Sequence, residues 1–238
     1  LKLGNIELKS KVFFSKYATS QQPSKLNINE NDHITVDDAI NALIVKSAND
    51  VAVAVAEKIS GSEKNFIKKM NYYAKKLELN NTNFANPHGL PNKSNLSSAY
   101  DIFILSSKII KDYPQYLDRF KKVKININGK TYKTHNKLLN KFDKYIGLKT
   151  GYIRKSGFQI SLLSKIDDNY LLGVYFGGNS AKERNNKIHF LMSKYQNNLE
   201  NTEMIPKKIN KVFKNNFIIQ TSSFRKITLS KQHILFLK

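Results

Sequence analysis

Cysteine is absent from the sequence, which excludes disulfides, thiolate-ligated zinc and a thiol nucleophile and leaves the redox compartment open. Acidic residues are scarce: 18 Asp and Glu stand against 40 Lys and Arg, a formal charge of +22. A balance of that sign fits an anionic partner such as nucleic acid, acidic lipid or a cell-wall polymer. Arginine, however, is confined to positions 119, 154, 184 and 225, and the lysines form no single block. The charge therefore reads as a solvated basic surface of biased composition, with a non-enzymatic binder of an anionic polymer as the alternative. No apolar run approaches the roughly 18 residues that span a bilayer, and no basic stretch leads into an apolar one at the start. The first residue is Leu1 rather than Met, so the chain reads as part of a longer precursor. What the sequence does hold is 14 Phe and 12 Tyr, the make-up of a folded chain. Its 238 residues are enough for one main domain and a short tail.

Residues 1–34 mix short apolar runs such as Lys11-Val12-Phe13-Phe14 with turn formers at Gln21-Gln22-Pro23-Ser24, which predicts short strands and loops. Thr35 offers an N-cap, with Asp37 and Asp38 in the first turn and Val36, Ala39, Ile40, Leu43 and Ile44 at helical spacing. A second helix carries Ala48, Val51, Ala52, Val55, Ala56 and Ile59 on one face, and Val53 and Ala54 make it apolar nearly all round. Ser62 caps a third through Phe66, Met70, Tyr73 and Leu77. Asn83 to Pro91 is too rich in Asn, Pro and Gly for regular structure and reads as an ordered loop. Ser98-x-x-Asp101 opens a helix through Leu105 and Ile109 that stops before Pro114. Val123, Ile125 and Ile127 alternate before Asn128-Gly129, a hairpin. Phe158, Ile160 and Leu162 alternate in a strand, Tyr170 to Phe176 is a run typical of a strand covered on both faces, and Ile188, Leu191, Met192 and Tyr195 place a closing helix. Helices, then strands, then a helix, without β-α-β alternation, point to an α+β fold with helices packed on an antiparallel sheet.

Two motifs carry chemistry. Lys149-Thr150-Gly151-Tyr152 precedes an alternating strand, and Ser47-Ala48-Asn49 sits at a junction of two helices. On an edge strand bordering a cleft, the Lys149 ammonium would raise the local positive potential, the Thr150 hydroxyl could hold a carboxylate, and Gly151 would let substrate backbone approach closely. Ser47 and Asn49 could both point into such a cleft, the hydroxyl relaying protons and the amide binding a carbonyl. Each has a plainer reading: Ser47 as an N-cap, Asn49 as an incidental polar residue, Lys149 as a solvated strand-end lysine. His88 could be a general base but reads more simply as a loop histidine on backbone, and His135 and His189 lack ligand-like spacing, so no metal is called for.

Lys46-Ser47-Ala48-Asn49-Asp50-Val51-Ala52-Val53-Ala54, Phe84-Ala85-Asn86-Pro87-His88-Gly89-Leu90-Pro91, Gly147-Leu148-Lys149-Thr150-Gly151-Tyr152 and Gly177-Gly178 with Arg184 together resemble the low-molecular-mass penicillin-binding proteins that are D-alanyl-D-alanine carboxypeptidases. S-x-N and K-T-G are two of the three signatures of penicillin-recognising serine enzymes. The resemblance covers about residues 1–198 and implies a β-lactamase/transpeptidase-like fold, truncated at its N-terminus, without cofactor. It also implies a bacterial periplasmic location and removal of the terminal D-Ala from peptidoglycan pentapeptide through an acyl-enzyme, with β-lactams as acylating inhibitors and no nucleic acid as partner. Carried over by motif, Ser47 is the proton-relay serine, Asn49 the amide-binding residue and Lys149 the electrostatic anchor. Thr150 and Arg184 bind the terminal carboxylate, Gly151 admits substrate backbone, and the Tyr152 N–H is half of the oxyanion hole. A β-lactamase is the runner-up, although Ala48 stands where class A enzymes have Asp and no E-x-x-L-N-like block is present.

The third signature, S-x-x-K, occurs only at Ser223-Phe224-Arg225-Lys226, after K-T-G and in a different context, which reads as coincidence. The nucleophile and its lysine are expected before Leu1, and the chain alone is expected to be inactive, with membrane association open through missing segments. After a linker at 199–215, the run Phe217 to Phe224 resembles the first strand of SPOR domains and implies a truncated peptidoglycan-binding module at 216–238. The alternative is an unrelated C-terminal strand.

Overall fold

The computed structural model of the chain describes residues 6–166, 169–200, 219–222 and 232–235. They fall into two compact units, one holding the residues up to Leu96 together with Lys122–His135, the other holding Ser97–Lys121 and the residues from Asn136 on.

In the first unit the antiparallel pair β1 (Lys11–Phe13) and β2 (His33–Thr35) sets Val12 opposite Ile34, and the single turn α1 (Lys16–Thr19) lies between them in sequence. Thr35 ends β2 and caps α2 (Val36–Val45): its Oγ1 accepts from the Asp38 N–H at 3.0 Å, and Asp37 and Asp38 sit at the positive end of the helix dipole. The stripe predicted from Val36 to Ile44 packs on the core, but the deepest positions are Ala39, Ala42 and Val45, with the polar Asn41 beside them. Small residues go deepest because α3 (Asn49–Ser60) closes in with Ala48, Val51 and Ala54 in the same cluster. Ile59, predicted to share the buried face of α3, is 39% exposed, since the last turn emerges from the core before Gly61 ends the helix at φ 73°.

The helix α4 (Glu63–Lys76) starts where Ser62 Oγ accepts from the Asn65 N–H. Its predicted face is realised only in part, because Tyr73 is 50% exposed and Ala74 is the buried residue. A tertiary tie turns the helix: the Asn71 side chain both donates to the Phe84 carbonyl and accepts from the Phe84 N–H, each at 2.8 Å, which draws position 71 inward. The same device orders the 83–96 loop. Asn95 Oδ1 accepts from the Ala85 N–H, Asn86 Oδ1 from the Gly89 N–H, and both amides donate to the Leu90 carbonyl. The hairpin β3 (Lys124–Ile127) and β4 (Lys130–Lys133) turns through Asn128 at φ 51° and Gly129 at φ 75°. Ile125 and Ile127 join the core, and the Tyr132 hydroxyl donates to the Leu26 carbonyl at 2.9 Å.

In the second unit Ser98 caps α5 (Ala99–Asp112), which stops before Pro114, and a 3₁₀ turn at Pro114–Tyr116 leads into α6 (Leu117–Phe120). The inner line of α5 runs through Phe103, Ser106 and Ile110 rather than Leu105 and Ile109, and Ser106 hydrogen-bonds Ser161 at 2.9 Å. The strands β5 (Tyr145–Ile153), β6 (Gly157–Ile166) and β7 (Asn169–Gly178) form an antiparallel sheet in that order. The apolar run of β7 is covered on both faces as predicted: Leu172 and Val174 pack with Phe103 of α5, and Leu171 and Tyr175 with Ile188 and Met192 of α7 (Ala181–Glu200). The packing is tight at Gly173, where an added Cβ would lie 2.8 Å from Met192 Sδ and 2.9 Å from Ile188 Cδ1. The backbones of β8 (Ile219–Ser222) and β9 (Gln232–Leu235) pair antiparallel. Most of the linker predicted at 199–215, and the Ser223 to Lys226 motif, lie outside the described residues; of the SPOR-like stretch only these two short strands are described.

Asp50 was not anticipated. It is fully buried, and its carboxylate accepts from the Leu26, Asn27 and Val51 N–H groups at 2.9 to 3.1 Å, stitching the 24–28 segment to the start of α3. Burial raises its pKa above the ordinary carboxylate value, while those N–H groups pull it down. Asp50→Ala is expected to cost about 2–5 kcal/mol at neutral pH, because three backbone donors lose their acceptor. Asp50→Asn should lose less, since one oxygen still accepts. Urea unfolding of the two variants checks the order.

Candidate active site

The first unit builds the S-x-N turn. Ser47 has φ 56°, a left-handed conformation uncommon for a residue with a side chain. It is not the cap of α3: that position is Ala48, which has no side-chain acceptor, and the N-cap reading of Ser47 is corrected accordingly. The turn is pinned from the 22–24 segment and from His135. Ser24 Oγ donates to the Lys46 carbonyl at 2.9 Å, His135 Nε2 lies 3.2 Å from the same oxygen, and the Asn49 N–H donates to the Ser24 carbonyl at 2.7 Å. Asn49 Nδ2 donates to the Gln22 carbonyl at 2.9 Å, so one of its two amide hydrogens is committed and the residue is not incidental. Among the described residues the Ser47 hydroxyl has no hydrogen-bond partner.

His88 does what a loop histidine does. Its Nδ1 accepts from the Leu90 N–H at 3.1 Å, which puts the proton on Nε2, 3.7 Å from Glu63 Oε1. Burial lowers its pKa, with Glu63 opposing. Among the described residues no cluster of His, Asp and Glu is arranged to hold a metal.

The second unit holds Lys149, Thr150, Gly151, Tyr152 and Arg184. K-T-G lies on β5, an edge strand of the sheet among the described residues, with Lys149 opposite Ser161, Thr150 opposite Ile160 and Gly151 opposite Gln159. Lys149 Nζ donates to the Thr150 carbonyl at 2.8 Å. The residue is only half-buried as a whole, but its ammonium is desolvated, and with the Arg184 charge nearby this lowers its pKa to about 8, contrary to the solvated strand-end reading. Arg184, 3% exposed, comes in from the first turn of α7; its Nη1 donates to the Gln159 carbonyl at 3.2 Å, and Nε and Nη2 fork onto Asn185 Oδ1 at 3.0 and 2.8 Å. Burial lowers its pKa to about 10. The residue 35 positions after Lys149 is thus tied to the strand position that faces Gly151. Among the described residues no carboxylate pairs with either cation. A Cβ on Gly151 would meet only the Gln159 side chain, at 3.3 Å or more, so packing within the sheet does not require glycine there. Tyr152, 57% exposed, stacks on Phe158 with centroids 4.2 Å apart.

With this geometry in place, the family comparison is decisive. The model of the D-alanyl-D-alanine carboxypeptidase family matches residues 1–180. The chain belongs to that family. One relative is the D-alanyl-D-alanine carboxypeptidase DacF of Bacillus subtilis (strain 168), 33% identical over 207 residues that take in 81% of this chain and 52% of DacF. The chain spans about half the length of the curated relatives it matches. Among solved structures, penicillin-binding protein 6B from Escherichia coli superposes with a TM-score of 0.78 at 28% identity, covering 99% of this chain and 71% of that one. Penicillin-binding protein D2 from Listeria monocytogenes, in its cefotaxime-bound form, gives 0.72 at 26% identity, covering 81% and 78%. The fold is that of the β-lactamase/transpeptidase group, as the sequence implied.

Sequence reasoning missed the parts of this carboxypeptidase-family chain that hold the named residues in place: Gln22, Ser24 and His135 around S-x-N, and Gln159 and Asn185 around Arg184. One signal was readable. Ser180-x-x-Glu183 has the sequence pattern of a capping box: Ser180 Oγ accepts from the Glu183 N–H at 3.0 Å, while Glu183 Oε2 accepts from the N–H of Asn179, the residue before the cap, at 2.9 Å, fixing the turn that delivers Arg184.

A cation whose pKa falls on folding destabilises the folded state at neutral pH. The unfolded chain binds the Lys149 proton more tightly, so this penalty fades as pH rises from about 8 towards 10.5. Lys149→Met is therefore expected to raise stability at pH 7 by about 1–3 kcal/mol, with a smaller gain at pH 10. Denaturation curves at both pH values check it.

Proposed function

We propose that the whole protein is a periplasmic serine-type D-alanyl-D-alanine carboxypeptidase that removes the terminal D-Ala of peptidoglycan pentapeptide. The observation that carries this reading is the pair of desolvated cations, Lys149 and Arg184, left without a carboxylate beside the Thr150 strand in a chain of this family. Such a pair favours an anion brought by a ligand, and the peptide's free C-terminal carboxylate is that anion. Thr150 donates its hydroxyl to the carboxylate and Arg184 gives it a permanently charged hold. The Tyr152 N–H supplies half of an oxyanion hole, and Gly151 leaves space for substrate backbone. The free Asn49 amide hydrogen donates to a substrate amide carbonyl. The Ser47 hydroxyl, held in a strained turn, passes a proton to the departing D-Ala amine.

In the reaction a serine oxygen attacks the carbonyl carbon of the penultimate residue, the amide C–N bond breaks, D-Ala leaves as a free amine after taking up a proton, and water hydrolyses the acyl-enzyme. The attacking serine and its lysine are assigned to the remainder of the whole protein. β-Lactams are expected to acylate the same serine. The ligand-bound relative from Listeria monocytogenes supports that expectation.

Arg184→Ala in the whole protein is expected to cost about 2–4 kcal/mol in kcat/KM for a peptide ending in a free carboxyl, and much less for the C-terminally amidated peptide. Equal losses on both substrates would remove Arg184 from the carboxylate site. A fluorescent penicillin is expected to label the whole protein covalently and to leave the isolated 238-residue chain unlabelled; labelling of the isolated chain would place a nucleophile among residues 1–238.

A further inference from the structure

Independently of the catalytic reading, α4 presents a surface that the composition alone does not reveal. Positions 64, 65, 68, 69, 72, 73, 75 and 76 are all exposed. At about 100° per residue they fill one half of the helix circumference. That half carries Lys64, Lys68, Lys69, Lys75 and Lys76, with Tyr72 and Tyr73 among them, one Asn and no acid. None of these lysines pairs with a carboxylate among the described residues. The only acid of the helix, Glu63, is engaged at the far end by the Tyr17 hydroxyl at 2.6 Å and by His88. Tyr72 and Tyr73 are 62% and 50% exposed and meet edge to face with centroids 5.4 Å apart.

We infer that this face of α4 adsorbs to a membrane surface rich in anionic lipid headgroups. The cations are all lysine, without the guanidinium fork that reads individual phosphates, so the attraction is diffuse. The surface is the convex side of a 14-residue helix, about 21 Å long, which matches a plane. A soluble polyanion would be tracked by a groove, and none of these residues lines either the groove beside Asn41 and Lys124 or the one beside Phe14 and Lys58. Exposed tyrosines suit the headgroup level, where the ring is half apolar and the hydroxyl stays wet. The inward line through Phe66, Met70 and Ala74 is already committed to the protein, so the helix cannot insert its apolar side as a free amphipathic helix does. Binding is therefore electrostatic, reversible and salt-sensitive.

Co-sedimentation of the chain with vesicles tests this. Binding is expected to phosphatidylcholine vesicles containing one-third phosphatidylglycerol, not to phosphatidylcholine alone, and to fade in high salt. A lysine near such a surface contributes a factor of about five to partitioning, so changing Lys64, Lys68, Lys69, Lys75 and Lys76 together to Gln should lower it at least a hundredfold. The matched variant with Lys130, Lys133, Lys137, Lys141 and Lys155 changed to Gln has the same net charge and should lose less than a tenth of that. Thermal unfolding of both variants checks that α4 remains folded, and a set of single Lys→Gln changes gives the same comparison if the quintuple variant unfolds. Equal losses in the two variants, equal binding to uncharged vesicles, or binding of soluble polyphosphate without binding of vesicles would overturn the proposal.

Discussion

Like charges held together away from water lose hydration and repel each other, and a protein that keeps such a pair must fix both groups with structure that cannot relax. In the second unit Lys149 and Arg184 are in that position. What fixes them is ordinary packing. The sheet is covered on both faces, α7 is pressed onto β7 at Gly173, and the Ser180 side chain caps the first turn of α7. Arg184 is then held by a strand carbonyl and its neighbour's amide, both neutral acceptors that satisfy its hydrogens without cancelling its charge. An internal carboxylate would stabilise the fold more, and it would also quench the field that an incoming carboxylate meets. Binding an anion there would stabilise the folded state in turn, since only the folded chain assembles the two cations.

The first unit solves a different problem, that of holding a non-glycine residue at positive φ while leaving its hydroxyl free. The carbonyl before Ser47 is held by Ser24 and faced by His135, the amide after Ala48 is bonded to Ser24, and Asp50 fastens the following segment. Such a conformation costs on the order of 1–3 kcal/mol and persists only where its surroundings leave no alternative. The surroundings here come largely from residues 22–28, whose sequence reads as a turn and no more.

Elements whose signals are local were legible in advance. Thr35, Ser62 and Ser98 cap the helices they were expected to cap, Asn128-Gly129 makes the predicted turn, and β7 is buried on both faces. What was not legible depends on partners distant in sequence. Tyr73 was placed inward because it continues the spacing of Phe66 and Met70, but Asn71 is pulled in by Phe84 and rotates the face. Asp50 carried no signal of its own in the sequence, and only the fold brings three backbone donors to it. K-T-G and Arg184 were matched by motif, whereas Gln159 acts through its backbone carbonyl, which no side-chain pattern encodes.

Compositional bias and structural role are not alternatives in this chain. Asparagine is abundant enough to look uninformative, yet an amide that donates and accepts at once suits a loop with unpaired backbone groups of both kinds. Asn71 of α4, with Asn86 and Asn95 of the loop, uses that property on the backbone between α4 and α5, which no helix satisfies. A bias towards lysine behaves likewise. Scattered over a surface, lysines only raise solubility and general electrostatic attraction. On α4, where the inner line is fixed by Ala74 and Asn71, the only positions left to lysine form one continuous half of the cylinder. The packing of the buried side thus decides which of the abundant charges act together, and averaging over the sequence conceals it.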